Sequence, residues 1–416
     1  MKDKNNNNTK STFSKLFEPI FELKFLDILN SLKIDHYVKK LKGIQLITLL
    51  IYGQIKQQKS LAELANNFNN EDFCKAIDLN SISASQISRR LNKFSPNVLE
   101  ELLKQLIVKI EMKTRSKNNC NKIGVLQIID SSTIALCLNK FPWATYRKDK
   151  SGIKLHLKLK FWNDSLIPEV ARITTAKVAD IKELNDLVVE ADEIMHVFDR
   201  GYTNYKNYDK FCETKTLFST RLKANAIIKI ISSKQVDPNG LILKDCIIQL
   251  GDGKNEMQYQ LRMIEFLDRN GKKMQVITNN FECSAEEIAL IYKYRWKIEL
   301  FFKWLKQHFT VKHFFGTSPN AVVNQILISL ISFCLLEFLK LTTQCKRTLF
   351  ELLKILRECL YEAYEVFLQK ILKKPSRTSK GRRKFDYKQD YVAIEREVFE
   401  ETSGNHIDDL VFELMY

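Results

Sequence analysis

The hydrophobic pattern of the chain changes twice, and each change separates a helical part from a part rich in strands. Over residues 1–112 apolar side chains recur at every third or fourth position and Gly and Pro are rare, which predicts α-helices. The clearest helices are predicted at 44–52, from 61 onward and at 84–94. Ser60 lies three residues before Glu63, a spacing that typically starts a helix. The pattern therefore predicts an all-α N-terminal domain, residues 1–112.

Short apolar segments of the strand type follow a polar linker that begins at residue 113. Strands are predicted at 123–130, 152–162 and 166–174, then a helix near 180–192, a strand ending at 198, a helix near 204–215 and a strand at 217–221. Three strands followed by alternating helices and strands is the order of a ribonuclease-H-like sheet. Turn sequences with Gly, Asn and Asp then separate further strands, which predicts a β insertion at about 226–280. The fold class predicted for residues 113–345 is therefore α/β, a ribonuclease-H-like mixed sheet with a β insertion.

The most specific polar pattern lies on a helix predicted after this insertion. Spacings of three, four, four and three residues place five polar side chains along one face of an α-helix: Tyr292, Arg295, Glu299, Lys303 and Lys306. A second stripe on the same helix is mostly apolar and is predicted to face a core. One carboxylate among cations suits a metal ligand that works on a phosphate backbone. A solvated, charged helix face is the alternative interpretation.

The same residues carry a resemblance to a known family. Tyr292, Arg295, Glu299 and Lys306 fit the pattern Y-x2-R-x3-E-x6-K, the signature of one large group of bacterial insertion-sequence transposases in the DDE superfamily. The flanking segments 278–280 and 295–303 also resemble this group. The resemblance covers about residues 123–340 and is only general over the N-terminal region. It implies a ribonuclease-H-like transposase domain with a β insertion and with two more acidic residues upstream of Glu299.

Both expected acids are present in settings that resemble the family motifs. Asp130 follows the apolar segment 124–129, and Asp199 follows the apolar segment 194–198 and begins the sequence Asp-Arg-Gly-Tyr. Each aspartate taken alone could be an ordinary strand-end or turn residue. Two carboxylates at the ends of adjacent strands, joined by a third from a helix, can hold two divalent ions about 4 Å apart. We therefore interpret Asp130, Asp199 and Glu299 as catalytic acids and metal ligands.

The resemblance implies a specific division of labour among these residues. It implies a cut-and-paste transposase that binds the terminal inverted repeats of its element, cleaves DNA with two Mg²⁺ ions, or alternatively Mn²⁺, and joins the freed 3′ ends to target DNA. Arg295, Lys303 and Lys306 would hold phosphates near the scissile bond, and Tyr292 would hydrogen bond to one of them. The expected partner is double-stranded DNA, both element ends and target, bound by a homodimer.

A recognition helix is predicted within the N-terminal domain. In the segment 84–94 the apolar side chains share one side, and the polar side offers Ser85, Gln86, Arg89, Arg90 and Lys93. Gln and Arg can hydrogen bond to base edges, and Ser, Arg and Lys can bind phosphates. An amphipathic helix with a solvated basic face is the alternative. The first interpretation makes residues 1–112 a DNA-binding domain.

Charge and composition favour a polyanionic partner over a membrane. Lys and Arg number 66 against 49 Asp and Glu, a net charge of +17. The most apolar stretch, 326–336, is shorter than a bilayer requires and is predicted to be a buried helix on the catalytic sheet.

The N-terminus does not resemble a signal peptide, and nine scattered cysteines suggest reduced thiols rather than zinc ligands. These features predict a cytoplasmic, nucleoid-associated bacterial protein. Residues 346–416 are predicted to be C-terminal helices followed by a basic tail.

The sequence leaves several alternatives open. A stand-alone ribonuclease-H-like nuclease or resolvase would use the same metal site. A non-catalytic DNA-binding regulator derived from a transposase is a second alternative, against which the intact set of three acids argues. Some members of the family cleave through a DNA hairpin and hold a flipped base on a Trp in the β insertion. This insertion has no Trp, and its aromatic stand-ins are Tyr259, Phe266 and Phe281. His156 matches a family position on the second strand, or is an ordinary histidine of the sheet.

Overall fold

A mixed β-sheet forms the centre of the protein. The computed structural model describes residues 10–22, 25–115, 124–162, 165–189, 194–238, 240–268 and 271–373. Within these residues ten strands join one sheet, in the order β2-β3-β1-β5-β6-β10-β9-β8-β7, with β4 also paired to β3. The strands are β1 (Val125–Leu136), β2 (Thr145–Arg147), β3 (Lys150–Trp162), β4 (Ser165–Thr175), β5 (Ile194–Phe198), β6 (Phe218–Arg221), β7 (Ile228–Lys234), β8 (Ile242–Leu250), β9 (Leu261–Leu267) and β10 (Lys273–Thr278).

The first half of the sheet is ribonuclease-H-like. Strands β1, β3 and β4 form an antiparallel meander, and β5 and β6 continue the sheet in parallel from β1. Parallel neighbours need a crossover, and the helices α8 (Asp180–Leu187) and α9 (Tyr205–Glu213) precede β5 and β6. Strand order and direction therefore confirm the predicted α/β fold class. The helix predicted at 180–192 is shorter, because α8 ends at Leu187.

The predicted β insertion continues this sheet rather than forming a separate one. Strand β10 pairs antiparallel with β6, and β9, β8 and β7 follow outward from it. The turn after β8 depends on Gly251, whose φ is +84°. A Cβ at this position would lie 2.1 Å from the carbonyl oxygen of Asn255, so only glycine fits. The insertion thus joins the sheet through β6, the strand next to β5, which leads to Asp199.

Helices precede and follow the sheet. Before it are α1 (Thr12–Phe21), α2 (Phe25–Ser31), α3 (Gly43–Ile55), α4 (Leu61–Asn66), α5 (Glu71–Ile77), α6 (Ala84–Lys93) and α7 (Pro96–Arg115). After it are α10 (Ala285–Lys293), α11 (Trp296–His308), α12 (Pro319–Thr342), α13 (Leu349–Cys359) and α14 (Tyr364–Leu372). The predicted start of α4 is confirmed, since the Ser60 hydroxyl accepts a hydrogen bond from the Glu63 amide at 3.1 Å.

Helix α12 is longer than the apolar stretch from which it was predicted. It spans 24 residues and is apolar enough to cross a membrane, yet 89% of its most apolar window is buried inside the protein. Its main partners are α7, α3 and α6, and it reaches the sheet at β4. The prediction of a buried helix is confirmed, but most of its packing is against the N-terminal helices and not against the sheet. Asn324 secures one contact by donating to the carbonyls of Leu91 and Phe94.

Two apolar cores lie around the sheet. One joins the helices of both ends of the chain to the sheet, and the other packs α8 and α9 against the face formed by Ile129, Phe198 and Phe218. The chain divides into residues 1–371 and 372–416, and nearly all of the second unit, including the predicted basic tail, lies outside the described residues. The divisions at 112 and 345 stay predictions.

Candidate active site

The sheet brings Asp130 and Asp199 side by side. Ile129 of β1 is in parallel register with Phe198 of β5, so the two aspartates follow paired residues on neighbouring strands. Adjacent strands lie about 4.8 Å apart, which places the two carboxylates within reach of one bound group. The pairing predicted from the two apolar segments is therefore present in the fold.

Strand β1 does not end at Asp130, as the sequence had suggested. It continues to Leu136, because residues 130–136 keep their antiparallel pairing with β3. Side chains of a strand alternate between its two faces, so the residues after Asp130 take different partners. Ser132 shares the face of Asp130 and accepts a hydrogen bond from the Lys306 ammonium at 2.8 Å. Ser131 points to the other face, where its hydroxyl donates to Asp180 Oδ1 at 2.7 Å.

The polar stripe of the signature lies on two helices rather than one. Helix α10 ends at Lys293 and α11 begins at Trp296, with a tight turn at Tyr294 and Arg295. The amides of Arg295, Lys297 and Ile298 bond to carbonyls three residues back, which tightens the chain locally. Dihedral angles at the junction stay close to helical, so the stripe is preserved. The predicted apolar stripe is buried on Ile291, Ile298, Phe301 and Leu305.

Arg295 links two of the three acids. Its Nη1 lies 3.3 Å from Asp130 Oδ2, and its Nη2 lies 2.6 Å from Glu299 Oε1. The guanidinium also stacks near the rings of Tyr292 and Trp296, at 5.8 Å and 5.4 Å from their centroids. All three ionic side chains are at most 18% exposed. This burial is inconsistent with the alternative of a solvated helix face at these positions.

Burial perturbs the protonation of two of the acids. Burial raises the pKa of Asp130 to about 8, with Arg295 opposing the rise and Glu299 and Asp199 adding to it. Burial also raises the pKa of Glu299, again against the effect of Arg295. Burial lowers the pKa of Arg295, but the nearby Glu299 and the other acids outweigh it and hold the guanidinium charged. Arg295 therefore offsets only part of the effect of burial on the two carboxyl groups.

The remaining signature residues differ in their surroundings. Tyr292 is buried, and burial raises the pKa of its hydroxyl above the usual range. Lys306 is held beside β1 through Ser132 and the carbonyl of Thr133, at 2.8 Å and 3.4 Å. Lys303 is half-buried and makes no hydrogen bond or ion pair with the part of the chain that the structure describes. These residues place two further lysines on the helix that carries Glu299.

The predicted recognition helix forms as α6, but only part of its polar side is available. Gln86 Oε1 accepts the amide hydrogen bond of Ser83 at 3.0 Å and closes a capping box. Arg90 is turned inward, with Nη2 2.7 Å from Asp35 Oδ1 and 3.0 Å from the carbonyl of Ile34. The remaining candidates are exposed and lie four residues apart on one stripe, namely Ser85, Arg89 and Lys93. Contact of this stripe with DNA stays a prediction.

The donor set of the three acids fits a divalent cation, although no three acidic, histidine or cysteine side chains in the described ranges already form a metal site. Glu299 Oε2 is buried and accepts no hydrogen bond. Carboxylate oxygens are the ligands that Mg²⁺ and Mn²⁺ prefer. A cation here would oppose the rise in the pKa of Asp130 that burial and, to a smaller extent, the neighbouring acids cause.

The aromatic stand-ins of the β insertion do not lie beside the acids. Phe266 is buried at 8% exposure. Tyr259 and Phe281 line a cleft of about 280 Å³ together with Lys215 and Leu217. Leu217 precedes β6, whereas Asp199 follows the far end of its parallel neighbour β5. The cleft therefore opens at the opposite edge of the sheet from the acids.

Sequence reasoning missed the residues that support the acids from behind. Ser131, Asp180 and Tyr202 lie on the face of β1 opposite Glu299, and the ring of Tyr202 belongs to the second core. Burial and the charges of Asp130 and Asp180 raise the pKa of the Tyr202 hydroxyl well above its usual value. Tyr202 ends the Asp-Arg-Gly-Tyr sequence and Ser131 follows Asp130, but no pattern in the sequence pointed to Asp180.

Comparisons with known proteins show the family to which the chain belongs. The family model of the transposase DDE domain matches residues 122–335, more than half of the 416-residue chain. The chain is 31% identical over 259 residues, 61% of this chain and 67% of the relative, to "Probable transposase for insertion sequence element IS5377" of Geobacillus stearothermophilus. It is 28% identical over 248 residues, 58% of this chain and 68% of the relative, to the transposase named y4zB of Sinorhizobium fredii.

A solved structure is also similar over most of its length. The piggyBac transposase in its synaptic complex with hairpin DNA matches at 11% identity and a TM-score of 0.46, covering 94% of this chain and 86% of that one. The family model and the first relative suffice for the assignment. The chain belongs to the DDE transposases of insertion sequences, as the signature on α10 and α11 indicated.

Proposed function

We propose that this protein is the transposase of an insertion sequence that cuts DNA at the ends of its element and joins the freed 3′ ends to target DNA. The observation that supports the proposal is that Arg295 contacts both Asp130 and Glu299, while Asp199 follows the residue paired with Ile129, the residue before Asp130. Two of these acids come from adjacent strands and the third from a helix that reaches them across the sheet. This is the donor arrangement that phosphodiester cleavage with two divalent ions requires.

The reaction consists of two transfers of a phosphoryl group. In the first, water attacks the phosphorus at the element end, and the bond from phosphorus to the 3′ oxygen breaks to leave a 3′ hydroxyl. In the second, that 3′ hydroxyl attacks a phosphorus of target DNA and displaces the 3′ oxygen of the target strand. When bound by the three acids, the divalent ions act as Lewis acids on the scissile phosphate and lower the pKa of the attacking water or hydroxyl.

The side chains of the protein orient and neutralise the site. Arg295 holds one oxygen each of Asp130 and Glu299 and leaves Glu299 Oε2 open. The Ser131 amide donates to Asp130 Oδ1 at 2.8 Å, so the first acid is held from two sides. Lys306, held by Ser132, offers a cation on the same face of β1 for the phosphates of the bound strand.

DNA binding outside the catalytic centre is part of the proposal. The net charge of +17 favours a polyanion, and the exposed stripe of Ser85, Arg89 and Lys93 on α6 offers a recognition surface for the inverted repeats. We infer that the protein acts as a homodimer on DNA, in the bacterial cytoplasm. A dimer suits an element with two ends, because each end then meets one catalytic site.

Substitution of the three acids tests the proposal. We expect Asp130→Asn, Asp199→Asn and Glu299→Gln each to lower cleavage by roughly a thousandfold or more, because a lost ligand removes several kcal/mol of transition-state stabilisation. Binding of a duplex from the element end should remain. The measurement is single-turnover cleavage of that duplex with Mg²⁺ or Mn²⁺, followed by joining to a plasmid. Near wild-type cutting by any one variant would remove that residue from the proposed site. Cutting without joining would favour a nuclease, and binding without cutting a regulator.

A further inference from the structure

A second polar cluster lies on the face of β1 opposite Glu299. Its centre is Asp180, the first residue of α8. The Asp180 Oδ1 atom lies 2.7 Å from the Ser131 hydroxyl, 3.2 Å from Lys154 Nζ and 3.4 Å from His156 Nδ1. His156 is fully buried and its Nε2 lies 2.9 Å from the Thr174 hydroxyl. Strands β1, β3 and β4 therefore all present polar groups toward one end of α8.

Asp180 is not the N-cap of its own helix. The N-cap of α8 is Ala179, and no side chain accepts the hydrogen bonds of the first turn. The polar partners of Asp180 are Ser131 on β1 together with Lys154 and His156 on β3. Its carboxylate thus ties the helix to the sheet directly behind the first catalytic acid.

Ser131 connects the two faces of β1. Its hydroxyl donates to Asp180, and its amide donates to Asp130 Oδ1 at 2.8 Å. The Asp130 side chain therefore takes its orientation in part from the position of the Ser131 backbone. Pairing of β1 with β3 holds this backbone, and the short, charge-assisted hydrogen bond from the Ser131 hydroxyl to Asp180 restrains it further. A shift of Ser131 would rotate the amide away from Asp130 Oδ1.

We propose that Asp180 is a positioning residue for Asp130 and acts through Ser131 across the strand. This inference rests on the proposed function, because it assumes that Asp130 is a metal ligand. Asp180 itself lies on the far face and touches neither Arg295 nor Glu299. Partners that orient a metal ligand typically change metal affinity or activity about 10- to 100-fold when they are removed.

Binding of Mn²⁺ alone to the full-length chain tests this role without relying on activity. We expect Asp180→Ala to raise the dissociation constant of Mn²⁺ about tenfold. Asp180→Asn should raise this dissociation constant much less, because the amide oxygen of Asn can still accept the hydrogen bond from the Ser131 hydroxyl. Ser131→Ala should match Asp180→Ala, and the double variant should be no weaker than either single one, since both changes remove the same hydrogen bond. Titration calorimetry, or the electron paramagnetic resonance spectrum of free Mn²⁺, measures these dissociation constants.

Asp186→Ala is the matched control. Asp186 lies on the same helix, is half-exposed and pairs with Arg172 at 3.1 Å. Thermal melting first establishes that each variant folds, and Ser131→Ala decides the question if Asp180→Ala does not fold. The proposal is overturned if Ser131→Ala, which removes the same hydrogen bond, binds Mn²⁺ as tightly as Asp186→Ala does. Equal binding by wild type and Asp130→Asn would instead overturn the metal assignment on which the inference rests.

Discussion

Arg295→Ala should destabilise the metal-free protein strongly, and a divalent cation should restore much of the loss. Arg295 is the cation that contacts both Asp130 and Glu299, at 3.3 Å and 2.6 Å. Its removal leaves two buried carboxylates next to a third acid, Asp199, without that compensation. Breaking a buried ion pair by removing one partner typically costs about 3–5 kcal/mol in the free energy of unfolding. The carboxylates limit the loss by taking up protons.

The cost should grow as the pH rises. The pKa of Asp130 is already raised to about 8 in the fold, against about 3.9 in an unfolded chain. The native state therefore binds a proton more tightly than the unfolded state does, so stability falls as the pH rises between these two values. Without Arg295 the native pKa rises further. The difference between variant and wild type should be small near about pH 5 and largest near about pH 9.

A divalent cation should reverse this loss if the three acids are ligands. A ligand at about 100 times its dissociation constant stabilises the native state by about 2.7 kcal/mol. The cation supplies the positive charge that Arg295 no longer provides, so the gain for the variant should equal or exceed the gain for wild type. Arg295→Lys should be intermediate, because one ammonium cannot hold two carboxylates in the manner of a guanidinium.

Urea denaturation followed by tryptophan fluorescence, with and without Mn²⁺ and at both pH values, measures these free energies. The matched control is Arg172→Ala, which removes a half-exposed arginine that also contacts two acids, Glu183 and Asp186. Arg172 is 48% exposed, so water can replace part of its charge beside Glu183 and Asp186, and this control should lose much less stability than Arg295→Ala. The reasoning is refuted if Arg295→Ala is as stable as Arg172→Ala at high pH, or if Mn²⁺ stabilises it no more than it stabilises Asp130→Asn.

Three further outcomes follow from the site. The stability of metal-free Asp130→Asn should depend less on pH than that of wild type between about pH 4 and pH 8, because the variant lacks the carboxyl with the raised pKa. Urea titrations at several pH values measure this dependence, and parallel profiles for variant and wild type would contradict the prediction. Lys306→Ala should slow the joining of pre-nicked ends, and Ser132→Ala should slow it more weakly, because Ser132 holds the Lys306 ammonium. Normal joining by both variants would show that Lys306 does not contact the reacting phosphates. Arg89→Ala and Lys93→Ala should each lower the salt dependence of DNA binding by about one unit of slope, measured by fluorescence anisotropy; an unchanged slope would remove the stripe on α6 from the interface.

Local patterns in the sequence determined much of the framework. The apolar segments before Asp130 and Asp199 predicted the two strands, because a buried strand reads as a short apolar run with a polar residue after it. The order of elements predicted the ribonuclease-H-like half of the sheet. The spacing of Arg295 and Glu299 placed both side chains on one face, and this survives the break between α10 and α11 because the junction stays near helical dihedrals.

Only the tertiary structure decided which polar groups meet. Arg90 is a candidate DNA contact in the sequence, but in the fold its guanidinium forms a salt bridge with Asp35, which is far away along the chain. Whether β1 ends at Asp130 depends on pairing with β3, and that pairing directs Ser131 toward Asp180 and Ser132 toward Lys306. A sequence pattern reports the periodicity of one segment, whereas these contacts depend on the register between strands and on the packing of distant helices. The acids were therefore visible in the sequence, and the groups that hold them became visible only in the fold.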